Sequence, residues 1–236
     1  MQKKIALVTG ANKGIGLEIC RQLIANDIHV LMACRDLTKG EKAQNKLATQ
    51  LTDVKKHSTL VQLDVTNKND VQALATTWCQ EGIDILVNNA GISRGVAKTV
   101  ITESEEDARL TLETNFWGAW RLSRLCLAHM KATGYGRIVN ISSGHGTYAK
   151  LDRHNPGYRL SKLALNGLTK MLDDEVKTFD NILINAMTPG WVRTHLGGLR
   201  ANRSVEEGAD TAVWLCLNDD QQIRGGLYKD REIFPW

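Results

Sequence analysis

Ile5-Ala6-Leu7-Val8-Thr9-Gly10-Ala11-Asn12-Lys13-Gly14-Ile15-Gly16 is an apolar run, a glycine-rich turn and the start of a helical pattern in direct succession. Glycines let the backbone turn tightly and approach a pyrophosphate closely, and a helix N-terminus offers unpaired N–H groups and a positive dipole end. The spacing G-x-x-x-G-x-G differs from the common dinucleotide fingerprint G-x-G-x-x-G, and a plain strand–helix connection can look the same. Its place between a first strand and an amphipathic helix favours a phosphate cradle, with Gly10, Asn12, Lys13, Gly14, Ile15 and Gly16 as its members.

Outward from this turn, strand-like runs recur at residues 28–33, 59–63, 83–87, 137–141, 182–186 and near 226–228. Helical patterns fill the intervals at 15–25, 40–51, 70–80, 105–130, 156–177 and 205–217. Most of the runs are continuously apolar, as in strands buried on both faces of a parallel sheet. The alternation predicts an α/β fold: one doubly wound, Rossmann-type domain over residues 1–236, with a mostly parallel seven-stranded sheet flanked by helices. No repeat, low-complexity segment or linker interrupts it. The 156–177 helix is apolar on two sides, Leu160, Leu163, Ala164, Leu168 and Met171 on one and Tyr158, Leu165, Leu172 and Val176 on the other. Arg159, Asn166, Asp173 and Lys177 fill a narrow polar strip. The second apolar side is expected to meet either a neighbouring helix or a second copy, making a homodimer or homotetramer.

Composition narrows the partners. The 236 residues are 42% hydrophobic and 24% charged, with a net charge of +4 spread along the chain, which speaks against disorder and against a nucleic-acid stripe. No apolar stretch approaches the roughly 18 residues of a membrane span, and the first residues lack a secretory h-region. The five cysteines (Cys20, Cys34, Cys79, Cys126, Cys216) form no C-x-x-C pair, and four fall in helix- or strand-like patterns. Reduced thiols, a cytoplasmic location and no metal site are expected.

The end of the second strand discriminates between cofactors. An acidic residue there binds a ribose 2′-hydroxyl, whereas an arginine accommodates a 2′-phosphate. Here Arg35 comes first in Ala33-Cys34-Arg35-Asp36, Lys13 can approach the same corner, and Lys39 can assist. Asp36 is read as the cap of the following helix. The expected cofactor is NADP(H).

Tyr158-Arg159-Leu160-Ser161-Lys162 sets a tyrosine and a lysine four residues apart on one helical face. A nearby ammonium is expected to stabilise the phenolate and lower the tyrosine pKa from about 10. The fifth strand ends in Ser142-Ser143 and the fourth in Asn88-Asn89-Ala90-Gly91, and parallel-sheet ligand sites lie outside such carboxyl ends.

Together these motifs resemble the short-chain dehydrogenase/reductase family over nearly the whole chain. They are the Thr9–Gly16 turn, Asp64, Asn88–Gly91, Asn115, Ser143, Tyr158 with Lys162, and Pro189-Gly190. The segments Asn12–Gly16, Ala33–Asp36 and Pro189–Thr194 are most similar to its carbonyl-reductase branch. The resemblance implies NADPH-dependent reduction of a ketone, aldehyde or quinone, with Tyr158 as proton donor and Ser143 orienting the carbonyl oxygen. It implies further that Lys162 tunes Tyr158 and binds the ribose, and that Asn115 holds a proton-relaying water. Asp64 and Val65 would lie by the adenine, Asn89 and Ala90 along the ribose, and Val192 and Thr194 over the carboxamide and phosphates. Two departures stand out: only 14 residues separate Ser143 from Tyr158, where some animal carbonyl reductases carry a long insertion, and the segment between Gly190 and the helix near Val205 is short. His145, His154 and His195 lie in loops and are left outside the site. The alternatives are a secondary-alcohol dehydrogenase working in the oxidising direction and a non-catalytic NADP(H) sensor. An epimerase is disfavoured because no separate substrate domain is visible.

Overall fold

The protein was described as a computed structural model covering residues 3–78 and 82–236. Strands β1 (Ile5–Thr9), β2 (His29–Cys34), β3 (Ser58–Gln62), β4 (Ile85–Asn88), β5 (Gly136–Ile141), β6 (Ile182–Met187), β7 (Leu227–Lys229) and β8 (Glu232–Ile233) form one sheet in the order 3-2-1-4-5-6-7-8. All pairings are parallel except β7 with β8.

The apolar runs explain themselves by alternation. Ala6, Val8, Val30, Met32, Val87 and Val139 face helices α1 (Gly14–Ala25), α2 (Leu37–Ala48) and α7 (Val205–Leu217). Leu7, Leu31, Leu86, Ile138, Ile182 and Ile184 face the other way, onto α3 (Lys68–Thr77), α5 (Gly118–Thr133) and α6 (Pro156–Glu175). A strand covered on both faces has no position left for a polar alternation. Because β1 lies between β2 and β4, the winding direction reverses at the β1–β4 gap, and the carboxyl ends of those two strands splay there.

The sheet has eight strands where seven were expected. Glu232–Ile233 is exposed and two residues long, too short for a hydrophobic pattern to announce it. Helix α2 begins at Leu37, earlier than its apolar pattern, because the Asp36 carboxylate accepts the Lys39 N–H and caps it. The expected 105–130 helix divides into α4 (Glu105–Leu112), a π-helical turn (Glu113–Trp117) and α5. The far end of the expected 70–80 helix, with Cys79, lies outside the described residues. Cys20, Cys34, Cys126 and Cys216 are buried.

Three residues of the polar strip, Arg159, Asn166 and Asp173, correct the sequence reading by lying inside, whereas Lys177, past the end of α6, is exposed. Arg159 donates to the carbonyls of His154 and Lys150 and to the Asp152 carboxylate. Asn166 joins Ser142 to the Gly146 carbonyl, and Asp173 accepts from Arg224. These residues are buried because they tie loops to the helix. Of the two apolar sides, that of Leu165, Leu172 and Val176 is buried, whereas on the other Leu168 is buried but Leu160 (49%) and Met171 (64%) stay exposed. Helix α4 covers the start of α6, where a Cβ on Gly157 would stand 2.9 Å from the Ala108 Cα.

Candidate active site

The glycine turn is shaped by what crosses the β1–β4 gap. Gly10 and Gly14 have φ of +64° and +57°, a left-handed region that side chains resist. Asn89 donates its amide to the Thr9 carbonyl (2.7 Å), and the Thr9 hydroxyl accepts the N–H groups of Asn89 and Ala90 (3.0 and 2.9 Å). Gly16 lies so close that a Cβ would sit 2.4 Å from Asn89 Nδ2 and 2.5 Å from the Gly10 carbonyl oxygen. Thr194 reaches in from the loop after β6 and would stand 3.2 Å from a Cβ on Gly14. Lys13, exposed, precedes α1 with no side-chain cap, and the first turn of α1 holds no acidic residue. Its N–H groups are therefore open to an anion.

At the outer corner Arg35 is 74% exposed, with its guanidinium 3.9 Å from the Asp64 carboxylate. Asp64 turns its other oxygen to the N–H and hydroxyl of Thr66. Val65 packs against Gly118 at the start of α5. Lys39 is paired with Asp36 at 3.0 Å, so it is committed to the cap rather than to this corner.

The inner end holds the titratable groups. Tyr158 is half-buried, and the Ser143 side chain acts on its phenol. Burial raises the phenol above its ordinary value, and Ser143 offsets part of that. The expected lowering by Lys162 is thus corrected: burial dominates, and the ammonium lies 5.7 Å from the ring centroid while donating to the Ile141 carbonyl at 2.7 Å. Lys162 is 5% exposed, and burial brings its amine from an ordinary 10.5 down to about 8. Asn115 sits in the π-helical turn, where the Gly118 N–H reaches back to the Glu113 carbonyl. Its side chain pairs with the Ile92 N–H and carbonyl and donates to the Ser161 hydroxyl (2.9 Å). Ser161 in turn donates to the Tyr158 carbonyl. Gly91 lies between, a Cβ there standing 3.5 Å from Asn115 Oδ1 and 3.6 Å from Lys162 Nζ.

A model of the short chain dehydrogenase family matches residues 4–204. The chain belongs to that family. It is 32% identical over 281 aligned positions to carbonyl reductase (NADPH) 1 of Mus musculus, covering 99% of each chain, and 31% identical to the Homo sapiens protein of the same name, covering 98% of each. The crystal structure of NADPH-bound carbonyl reductase from chicken fatty liver matches with a TM-score of 0.86 at 30% identity over all of both chains. ElxO with NADP bound matches with a TM-score of 0.86 at 27% identity over 97% of each. These place the chain in the carbonyl-reductase-like branch of the short chain dehydrogenase family. The 281 aligned positions exceed the chain's own length, so the mouse relative carries segments that this member lacks.

A dinucleotide fits the cradle on the chain's own geometry: Gly16 leaves no room for a side chain, α1 presents an uncapped N-terminus, and cationic Lys13 and Arg35 stand at the entrance and outer corner. Val192 is buried and Thr194 closes against Gly14. Among the described residues no group of three or more His, Cys, Asp or Glu stands ready for a metal. His145, His154 and His195 are exposed, and only the backbone N–H of His145 touches the site, donating to Ser143 Oγ.

Three supports escaped the sequence reading. Ser142, behind Ser143, bonds Asn166 (2.5 Å), fixing the end of β5 to α6. Ser161 joins Asn115 to Tyr158. Glu103 accepts the Gly157 N–H at the first turn of α6, which has no acidic residue and no side-chain cap of its own. Asn155 precedes the helix, but its side chain accepts from Ser93 instead of capping it.

The buried Lys162 amine makes stability depend on pH. Between pH 8 and 10 the unfolded chain keeps a proton that the folded chain releases, so stability rises with pH across this window. Relative to Lys162→Met, the cofactor-free protein is expected to gain about 2 kcal/mol between pH 8 and 10 in urea unfolding. A difference that stays flat would contradict an amine depressed by burial.

Proposed function

We propose that this short chain dehydrogenase reduces a small-molecule ketone, aldehyde or quinone with NADPH in a site built from Ser143, Tyr158, Lys162 and Asn115. The observation that carries the reading is the half-buried Tyr158 with the ammonium of buried Lys162 5.7 Å from its ring, next to a glycine cradle fit for a dinucleotide. The printed names of the mouse, human and chicken relatives support the cofactor and the reaction class. Binding and chemistry are read as sharing one domain.

When bound, NADPH supplies the hydride that attacks the carbonyl carbon. The protein supplies everything else. Ser143 donates a hydrogen bond to the carbonyl oxygen and fixes its direction. Tyr158, held protonated at neutral pH by burial, gives that oxygen its proton as negative charge develops. Lys162 approaches the ribose hydroxyls and, when protonated, favours the phenolate left behind. Asn115, with its side chain spent on Ile92 and Ser161, holds the π-helical turn from which a water relays protons toward Lys162. Gly10, Asn12, Gly14, Ile15 and Gly16 with the α1 N-terminus take the pyrophosphate. Arg35 and Lys13 take the 2′-phosphate, Asp64 and Val65 the adenine, Asn89 and Ala90 the ribose, and Val192 and Thr194 the carboxamide side.

No helix among the described residues is long and apolar enough to cross a membrane. The buried thiols of Cys20, Cys34 and Cys216 support a reducing, cytoplasmic setting. The exposed Leu160 and Met171 support a second copy of the chain packed on α6.

Tyr158→Phe keeps the ring but removes the donor, so turnover of a ketone is expected to fall by about 10²–10⁴ while NADPH still binds. Near-normal turnover would sink the mechanism. Arg35→Asp is expected to raise the Michaelis constant for NADPH about tenfold or more and to leave that for NADH nearly unmoved. Equal affinity of the unmodified protein for both cofactors would refute the assignment. Light scattering at micromolar concentration is expected to give a multiple of 26.2 kDa, and the mass of a single chain would remove the oligomer.

A further inference from the structure

The family model ends at residue 204, and the catalytic groups all precede that point. The β7–β8 hairpin lies beyond it, and one of its neighbours is the catalytic loop. Its turn places Asp230 and Arg231 at φ of +53° and +64°, both left-handed, without a glycine. Two-residue turns of this hand match the twist of paired strands, but most side chains resist them. Here the two residues are anchored from outside: Asp230 to Arg203 at 2.6 Å, and Arg231 to the Asp210 carboxylate and the Thr211 hydroxyl. Lys229 and Asp230 also line a cavity of about 670 Å³ with Gly190 and Trp191, immediately after Pro189.

The anchored turn sends the chain back so that the Phe234 N–H bonds the Leu227 carbonyl at 2.7 Å. The Phe234 ring then lies against Gly144, where a Cβ would stand 3.5 Å from Cζ, and the Lys150 ammonium lies 5.0 Å from the ring centroid. Gly144 follows Ser143, the residue assigned above to the substrate carbonyl. The ring is half-buried, and no step of the reaction above uses it. Gly144, having no side chain, leaves the Phe234 ring against the backbone directly after Ser143.

We propose that Phe234 is a specificity-determining wall of the carbonyl site, favouring substrates with a flat aromatic group next to the carbonyl. The proposal rests on the carbonyl-reducing reading. Aromatic pairs attract through their quadrupoles in offset or edge-on contact beyond what area alone supplies, and a saturated ring of the same carbon count lacks that term. The cation on the Phe234 ring at Lys150 adds to the ring's fixed position.

The test compares acetophenone with cyclohexyl methyl ketone, using the protein supplied with NADPH and its Phe234→Ala, Phe234→Leu and Phe234→Tyr variants. In Phe234→Ala and Phe234→Leu the acetophenone-to-cyclohexyl ratio of kcat/KM is expected to fall about three- to tenfold, mainly through KM, and Phe234→Tyr should restore it. The dissociation constant of acetophenone from the NADP⁺-bound protein, read by tryptophan fluorescence, should rise by the same factor. An unchanged ratio, or equal losses with both ketones in Phe234→Leu, overturns the role of Phe234 and leaves the reductase reading standing. An unmodified protein that reduces neither ketone overturns the wall, and one that also reduces no aldehyde or quinone overturns the reductase reading with it.

Discussion

The hydrogen bonds between Thr9 and Asn89 hold the architecture to its purpose. A doubly wound sheet splays where its winding reverses, and here the splay falls between β1 and β4. Thr9 takes two N–H groups from the β4 exit on its hydroxyl, and Asn89 returns an amide to the Thr9 carbonyl. The crevice is thereby open at its mouth and clamped at its root. Gly16 is forced by the same clamp, since the Asn89 amide occupies the place of its Cβ. The phosphate turn and the β4 exit are one object, although 80 residues separate them in sequence.

A second layer of buried polar contacts sets the inner wall. Asn88 donates to Asn140 and Ser123, Asn140 donates to Thr169, and Ser142 bonds Asn166. The Asn88–Asn140 bond joins β4 to β5, and each of the others ties the end of a strand to α5 or α6. Buried amides and hydroxyls that have partners fix a single arrangement, whereas apolar contacts alone tolerate sliding. This ladder sets the height of Tyr158 and Lys162 above the sheet.

Much of this was legible in the chain. Continuous apolar runs such as Val30–Ala33 announce strands covered on both faces, and Tyr158 with Lys162 announces itself by spacing. What escaped was set by contacts distant in sequence. No local pattern marks the π-helical turn at Asn115, whose side chain answers to Ile92 and Ser161. Arg159 and Asp173 look like a solvated strip, because their partners Asp152, the Lys150 carbonyl and Arg224 lie on loops with no periodicity. Tyr158 is set by burial rather than by its lysine, and burial is not written in a four-residue spacing. The β8 strand was too short and too polar for any pattern.

The cysteines of this fold have a chemical meaning of their own. Cys20 and Cys216 lie fully within the layer between α1, α7 and the sheet, where burial pushes the Cys216 thiol up to about 12 and the Cys20 thiol higher still. Burial thus keeps both groups in the thiol form, and it is the thiolate that attacks electrophiles. A protein that handles reactive carbonyl compounds would meet electrophiles at every turnover. Its buried sulfurs are shielded from alkylation by the same apolar layer that holds the sheet together.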